Sequence, residues 1–223
     1  MPPELVPRRF RLLVFDWDGT LADSATIIAE AIQKSCHDLE LPIPSDVDAK
    51  FVIGLGLSDA LRHVAPTLSD DEQLRFSERY RHHYLARDPH IGLFPGAVEL
   101  LHELQSSGFM LAVATGKTRI GLERALMQQA LGHRFAASRC ADEGRPKPHP
   151  DMLHYLMERM NVAPPETLMI GDTTHDLELA RNAGVDAVAV SYGAHPADRL
   201  QSLSPLAIVH SMPELREWLI SNA

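Results

Sequence analysis

The stretch Arg11–Ser24, "RLLVFDWDGTLADS", begins apolar and ends in a turn that carries two aspartates. The mostly apolar segment Phe10–Phe15 predicts a buried strand. Asp16 and Asp18 follow it at once, and residues two apart in an extended segment point to the same side, while Trp17 faces the other. Carboxylates placed this close repel each other unless a positive group lies between them. The stretch therefore predicts a buried strand that ends in a charged site.

The composition of the chain is that of an ordinary globular protein. It has 223 residues, of which 45% are hydrophobic and 23% charged, enough for one large domain or a domain with an insert. The net charge of -9 argues against a nucleic-acid partner and favours a small metabolite. No apolar run approaches the roughly 18 residues of a membrane helix, and the first residues lack the apolar segment of a signal peptide. The two cysteines, Cys36 and Cys140, lack the spacing of a metal site and fit a reducing compartment, so a cytoplasmic location is expected. The sequence does not indicate the oligomeric state.

The segment after the first strand has helical patterns and no strand pattern. Residues 23–94 are therefore predicted to form an all-helical insertion, preceded by a loose arm at residues 1–8, which hold three prolines. A capping-box pattern at Ser69–Glu72 predicts the start of a helix that runs to about Arg87. The serines predicted to cap helices in this insertion are Ser24, Ser45, Ser58 and Ser69.

Strand and helix patterns alternate in the rest of the chain. Such alternation predicts a parallel sheet with helices on both faces, that is, a Rossmann-like α/β core. Residues 1–22 and 95–223 are assigned to this core, and residues 23–94 to a helical cap. The further predicted strands are Phe109–Thr115, Phe135–Cys140, Thr167–Gly171, Ala187–Ser191 and Leu206–Val209.

Polar residues follow four of the predicted strands, at the edge of the sheet where ligands of such folds bind. Several acidic oxygens in one crevice indicate a hard cation, and Mg²⁺ combines a few carboxylates with waters and phosphate oxygens. A carboxylate can also attack phosphorus and form an aspartyl-phosphate. The polar residues and glycines at these strand ends are Asp16, Asp18, Thr115, Gly116, Lys117, Lys147, Gly171, Asp172 and Asp176.

Four motifs occur in a fixed order at these strand ends. They are DxDGT at Asp16–Thr20, Thr115 in "VATGK", Lys147 in "KPHPDML" and GDxxxD at Gly171–Asp176. Together they resemble the haloacid dehalogenase superfamily of aspartate-nucleophile phosphotransferases, and the resemblance covers nearly the whole chain. The helical block at residues 23–94 is similar to the C1-type cap of phosphoglycolate phosphatases and β-phosphoglucomutases.

The resemblance implies roles for the residues of these motifs. Asp16 would be the nucleophile, and Asp18 the general acid and base. Thr115 and Lys147 would hold the phosphoryl oxygens, together with Gly116, and Lys147 would also steady the nucleophile.

The resemblance also implies a Mg²⁺ site. Its ligands would be Asp16, the backbone carbonyl of Asp18, and Asp172, with Asp176 as a ligand or an outer partner. From the residues alone, Asp172 could instead cap a helix, and Asp176 could be an acid in the first turn of a helix, where the helix dipole stabilises it. The expected function is Mg²⁺-dependent hydrolysis of a small phosphomonoester, such as phosphoglycolate, a sugar phosphate or a nucleotide, through an aspartyl-phosphate.

Other functions fit part of this pattern. A phosphomutase like β-phosphoglucomutase would share the core. This chain has Gly19-Thr20 where such mutases have Gly-Val, and this difference favours hydrolysis. Dehalogenases of the superfamily lack the second aspartate of the first motif, and an EF-hand would need a closing Glu that is missing here. A non-catalytic phosphate-binding module is the alternative from another class.

The choice of substrate is not readable from the motifs. "VATGK" departs from the Thr-Asn-Lys pattern of phosphoglycolate phosphatases, so phosphoglycolate is not favoured over other substrates. Gly54 and Gly56, in the segment that corresponds to a cap specificity loop, are candidate points of close approach or simple hinges. Candidate cations for the far end of the substrate are Lys50, Arg62 and Lys117.

Overall fold

The computed structural model describes residues 9–223 and contains one sheet of parallel strands. The predicted arm at residues 1–8 lies outside the described residues. The strands are β1 (Leu12–Phe15), β2 (Met110–Thr115), β3 (Ala137–Cys140), β4 (Thr167–Gly171), β5 (Asp186–Val190) and β6 (Ala207–Val209). They lie within two residues of the predicted bounds, and the sheet order is β3-β2-β1-β4-β5-β6. The predicted α/β fold with a parallel sheet is confirmed.

Helices cover both faces of the sheet and fill the segment between β1 and β2. Two single 3₁₀ turns, at Asp88–His90 and Pro164–Glu166, were not expected from the sequence. The helices are α1 (Ala25–Asp38), α2 (Asp46–Phe51), α3 (Leu57–Val64), α4 (Asp70–Arg87), α5 (Ala97–Ser106), α6 (Arg119–Gln128), α7 (Asp151–Met160), α8 (Thr174–Ala183), α9 (Ala197–Gln201) and α10 (Met212–Asn222).

The central strand β1 is buried on both sides. Leu13 and Phe15 belong to the core shared with α5 and α10, whereas Leu12 and Val14 belong to the core shared with α7 and α8. All four are 0% exposed, and burying such a side chain contributes roughly 1.5–3 kcal/mol. The continuous apolar run is therefore what a strand between two helix layers requires.

The topology places a ligand site at the end of β1. The chain adds β2 and β3 on one side of β1 and then β4, β5 and β6 on the other. Where the order of strands reverses in this way, a crevice opens at their carboxyl ends. The amide of Asp16 still belongs to the sheet, since it donates to the carbonyl of Ile170 over 2.9 Å. Its side chain therefore stands at the crevice on rigid backbone.

Helices α1 to α4 form an apolar cluster of their own, which includes Ala29, Ile32 and Phe76. Two predicted helix starts are confirmed: the Ser45 side chain accepts from the amide of Asp48, and Ser69 forms a capping box. The assignment of residues 23–94 to a separate cap domain stays a prediction.

One other predicted cap is wrong, and one is confirmed in position only. Gly56, not Ser58, is the N-cap residue of α3, because its carbonyl accepts the first helical hydrogen bonds, from Asp59 and Ala60. Ser24 is the N-cap residue of α1, as predicted, but its side chain does not cap the helix, because its hydroxyl donates to Asp18 instead.

Both cysteines, Cys36 and Cys140, are buried free thiols, as expected. Within residues 9–223, no helix combines the length and the apolar character needed to cross a bilayer. The predicted cytoplasmic location stays a prediction.

Candidate active site

Three buried carboxylates meet at the carboxyl ends of β1 and β4. Asp16 follows β1, Asp172 follows β4, and Asp176 lies in the first turn of α8. One oxygen of each lies within 4.8 Å of the others, and all three residues are 0% exposed. The sequence separates these groups widely, and the topology of the sheet brings them into one crevice.

One buried ammonium group faces these carboxylates. Lys147, in the loop between β3 and α7, donates from Nζ to Asp16 Oδ1 over 2.7 Å and to Asp176 Oδ1 over 2.5 Å. Burial alone would lower the pKa of Lys147, but the two carboxylates raise it above its usual value. Lys147 is only 1% exposed, so it is not a solvated loop residue.

The charges of this cluster do not balance. Burial, opposed by Lys147 but reinforced by Asp176, raises the pKa of Asp16 to about 7. Burial, and then repulsion from Asp16 and Asp176, also raises the pKa of Asp172 well above its usual value. Among the described residues, Asp16 Oδ2 is buried without a hydrogen-bond partner. Three carboxylates, one ammonium and an unsatisfied carboxylate oxygen fit a divalent cation.

Asp172 is fixed by the loops after β1 and β5. Its Oδ1 accepts from Thr20 Oγ1 over 2.8 Å, and its Oδ2 accepts from the amide of Ala194 over 2.7 Å. A Cβ at Gly19 or at Gly193 would collide with Asp172 Oδ2. The two glycines are therefore needed for the close approach of both loops to this carboxylate.

Asp176 has a structural task besides facing the cluster. Its Oδ2 accepts from the amide and hydroxyl of Thr173, at 3.0 and 2.7 Å, which completes a capping box at the start of α8. Thr173, not Asp172, is thus the N-cap residue. Because the other oxygen of Asp176 accepts from Lys147, this carboxylate orients the ammonium group.

Asp18 lies apart from the three carboxylates and faces helices α1 and α4. Its Oδ1 accepts from Ser24 Oγ over 2.7 Å and pairs with Lys117 Nζ at 2.9 Å. Thr115 is fully buried at the end of β2, where its hydroxyl accepts from the amide of Lys117 over 3.2 Å. Asp18 also lines a cavity of about 390 Å³ between the cap helices and α6.

The loop between α2 and α3 sits directly on the core. A Cβ at Gly116 would lie 2.6 Å from the carbonyl oxygens of both Gly54 and Leu55. On the other side, a Cβ at Gly54, whose φ is +90°, would lie 3.2 Å from Thr173 Oγ1. The loop thus occupies the space between the ends of β2 and β4, above the carboxylates.

A second contact holds the end of α2 beside this loop. The carbonyl of Phe51 accepts from Nε2 of His175 over 2.8 Å and of His195 over 3.0 Å, and the Phe51 ring stacks on His195 with centroids 5.2 Å apart. Nδ1 of His195 accepts from the amide of Thr174. Burial lowers the pKa of both histidines, that of His195 to about 4, so each stays neutral and able to donate from Nε2.

The family profile described as Haloacid dehalogenase-like hydrolase matches residues 13–190, which include every residue of the carboxylate cluster. The chain belongs to this family. The match confirms the family and the enzyme class predicted from the motifs.

Relatives of this hydrolase cover almost the whole chain. It is 35% identical over 210 residues to probable phosphatase IndB of Dickeya dadantii, which covers 92% of this chain and 91% of that protein. It is 28% identical to phosphoglycolate phosphatase of Vibrio vulnificus, over 98% and 100% of the two chains. A haloacid dehalogenase-like family protein of Streptococcus pneumoniae has the same fold, with a TM-score of 0.80, 27% identity and coverage of 94% and 98%.

Of the three cations that the sequence suggested for the far end of the substrate, only one lines the cavity of this hydrolase. Lys50 pairs with Asp46 at 2.9 Å, and Arg62 pairs with Asp59 at 2.5 Å on an exposed face. Neither lines the cavity beside Asp18, whereas Lys117 does.

Sequence reasoning missed the loop after β5. Gly193, Ala194 and His195 hold Asp172 and Phe51 in place, although none was a candidate. The available signal was positional, since this loop also follows a parallel strand at the ligand edge of the sheet.

Proposed function

We propose that this hydrolase removes phosphate from small phosphomonoesters in a Mg²⁺-dependent reaction with Asp16 as nucleophile. The observation that carries the proposal is the unpartnered, buried Oδ2 of Asp16, beside two further carboxylates and Lys147. Relatives named as phosphatases, including a phosphoglycolate phosphatase, support the same reaction class.

The metal would be held by Asp16, Asp172, the backbone carbonyl of Asp18 and, directly or through water, Asp176. When bound, Mg²⁺ supplies positive charge to the carboxylates and to the phosphoryl oxygens. With the cation bound, the net charge of the three carboxylates and Lys147 becomes close to zero, which lets Asp16 remain ionised at neutral pH.

The chain's own residues perform the two displacement steps. An oxygen of Asp16 attacks phosphorus, the bond from phosphorus to the ester oxygen breaks, and Asp18 gives its proton to the departing alcohol. Asp18 next takes a proton from water, whose oxygen attacks phosphorus and releases phosphate and the Asp16 carboxylate. Thr115, Gly116 and Lys147 hold the phosphoryl oxygens meanwhile.

The cap would exclude bulk water during the first step. The loop at Gly54 and Leu55 lies against Gly116, and the Asp16 side chain below it has no exposed surface. Opening of residues 23–94 would then admit the ester and release the products.

The test is phosphate release from a panel of phosphomonoesters, with Mg²⁺ or with EDTA. Asp16→Asn should lose about a thousandfold or more in kcat/KM, while Asp71→Asn, an exposed change on α4, should not. Equal rates for Asp16→Asn and wild type would refute the nucleophile. Isomerised sugar phosphate without free phosphate would instead identify a mutase.

A further inference from the structure

The cavity beside Asp18 has the size of a small-molecule site. Its volume of about 390 Å³ lies within the range of about 300–1,000 Å³ that such sites occupy. Close-packed protein interiors leave few voids larger than a water molecule, so a space of this size is not a packing defect. Since Asp18 would protonate the departing alcohol, the cavity is where the alcohol part of the ester would lie.

Most of the wall of this cavity is hydrocarbon. Helix α1 contributes Ile28 and Ile32, and the segment after α2 contributes Val52 and Ile53. These four side chains also belong to the buried apolar cluster of α1 to α4, so they are held in place and keep this part of the wall apolar.

The remaining wall is aromatic and ends in an apolar mouth. Tyr80 and Tyr84 of α4 line the cavity with their rings stacked, at a centroid distance of 5.8 Å and an angle of 21°. Leu85 and Ile120 line it too, although they are 44% and 74% exposed. Large apolar side chains that water reaches at the mouth of a cavity mark a surface that a ligand can cover.

Two of the three cations that line the cavity are already paired with carboxylates. Lys117 pairs with Asp18 at 2.9 Å, and Arg124 pairs with Asp88 at 2.6 Å. The third cation, Arg81, is exposed. A carboxylate on the alcohol, as in phosphoglycolate, would have to enter an apolar space whose two inner cations are already paired, which is costly.

We infer that the substrates are phosphomonoesters of uncharged alcohols that carry a compact apolar body, of about one aromatic or aliphatic ring. The inference deepens the proposed phosphatase function and rests on it. The phosphoryl group would meet Asp16, the ester oxygen would meet Asp18, and the ring would fill the cavity between Ile32 and Tyr84.

The experiment compares four esters whose leaving groups are all primary alcohols, namely benzyl phosphate, cyclohexylmethyl phosphate, ethyl phosphate and phosphoglycolate. The two ring-containing esters should exceed ethyl phosphate and phosphoglycolate about tenfold or more in kcat/KM, because each buried methylene contributes to selectivity. Turnover of phosphoglycolate or ethyl phosphate without this preference overturns the inference and leaves the proposed function standing. Absence of turnover of every ester overturns both.

A pair of matched variants tests where the ring lies. Ile120→Arg and Met127→Arg both place a cation on α6 at a position that is about three-quarters exposed, 74% and 77%, but only Ile120 lines the cavity. Ile120→Arg should lower the ratio of benzyl phosphate to phosphoglycolate turnover about tenfold, and Met127→Arg should leave it within about twofold. A ratio that neither variant changes, or that both change equally, overturns the inference.

Discussion

Gly116→Ala should separate cap closure from folding. The added Cβ would lie 2.6 Å from the carbonyl oxygens of Gly54 and Leu55, where an ordinary contact begins at 3.4 Å. Both partners are backbone atoms, so no side chain can rotate away, and the loop has to move by about 0.8 Å. A misplacement of about 1 Å near the chemistry can cost about 100-fold, so we expect kcat/KM to fall by about that factor.

The assay pairs turnover with amide hydrogen exchange and thermal melting. Exchange at Gly54 and Leu55 should rise in Gly116→Ala, whereas the melting temperature should change little, because the cap can lift without unfolding. Gly132→Ala is the control, since nothing lies within 4 Å of its Cβ. Gly54→Ala strains the loop from its opposite side and should reduce turnover too. Wild-type turnover and wild-type exchange in Gly116→Ala would refute this account of closure.

The buried charges predict three further results. Mg²⁺ should raise the melting temperature more at about pH 8 than at about pH 5, because burial raises the pKa of Asp16 to about 7 and the cation must displace the proton that Asp16 carries below that pH. Asp172→Asn should abolish this increase. Equal increases at both pH values would contradict the prediction. Because burial lowers the pKa of His195 to about 4, the unfolded chain binds a proton below about pH 6.5 that the native side chain does not bind, and the native state loses about 3 kcal/mol of stability between about pH 6.5 and pH 4. His195→Gln should remove this loss. Urea unfolding at a series of pH values measures it, and the same dependence of stability on pH in both proteins would exclude this account. Lys147→Met should cost about 3–5 kcal/mol in the free energy of unfolding, since it leaves Asp16 and Asp176 buried without a counter-charge; lowering the pH should reduce that cost, and a constant cost would show that packing causes it.

The sequence reveals the parts of this fold that depend on local patterns. The apolar run before Asp16 specifies a strand buried on both faces, and the Ser69–Glu72 capping box is local to one helix turn, so both predictions hold. The end of a strand is also a local signal, and it finds Asp16, Asp172 and Lys147.

Contacts between distant segments leave no such local pattern. The approach of Gly54 to Gly116, or of Ala194 to Asp172, depends on how the cap and the loop after β5 lie on the core. The same holds for Ser24, whose hydroxyl could cap a helix or reach Asp18, and only the fold decides between these partners.

Cap closure and metal binding should therefore be coupled. Closing the loop at Gly54 over Asp16 removes water from carboxylates that a single lysine does not neutralise, and the resulting rise in the pKa of Asp16 would protonate the proposed nucleophile. With a divalent cation present, the same closure buries a nearly neutral cluster and costs less. By reciprocity, any change that holds the cap open, such as Gly116→Ala, must weaken the observed binding of Mg²⁺. Burial of three acids, which alone destabilises the chain, would thus make the closed state conditional on the cation of the proposed reaction.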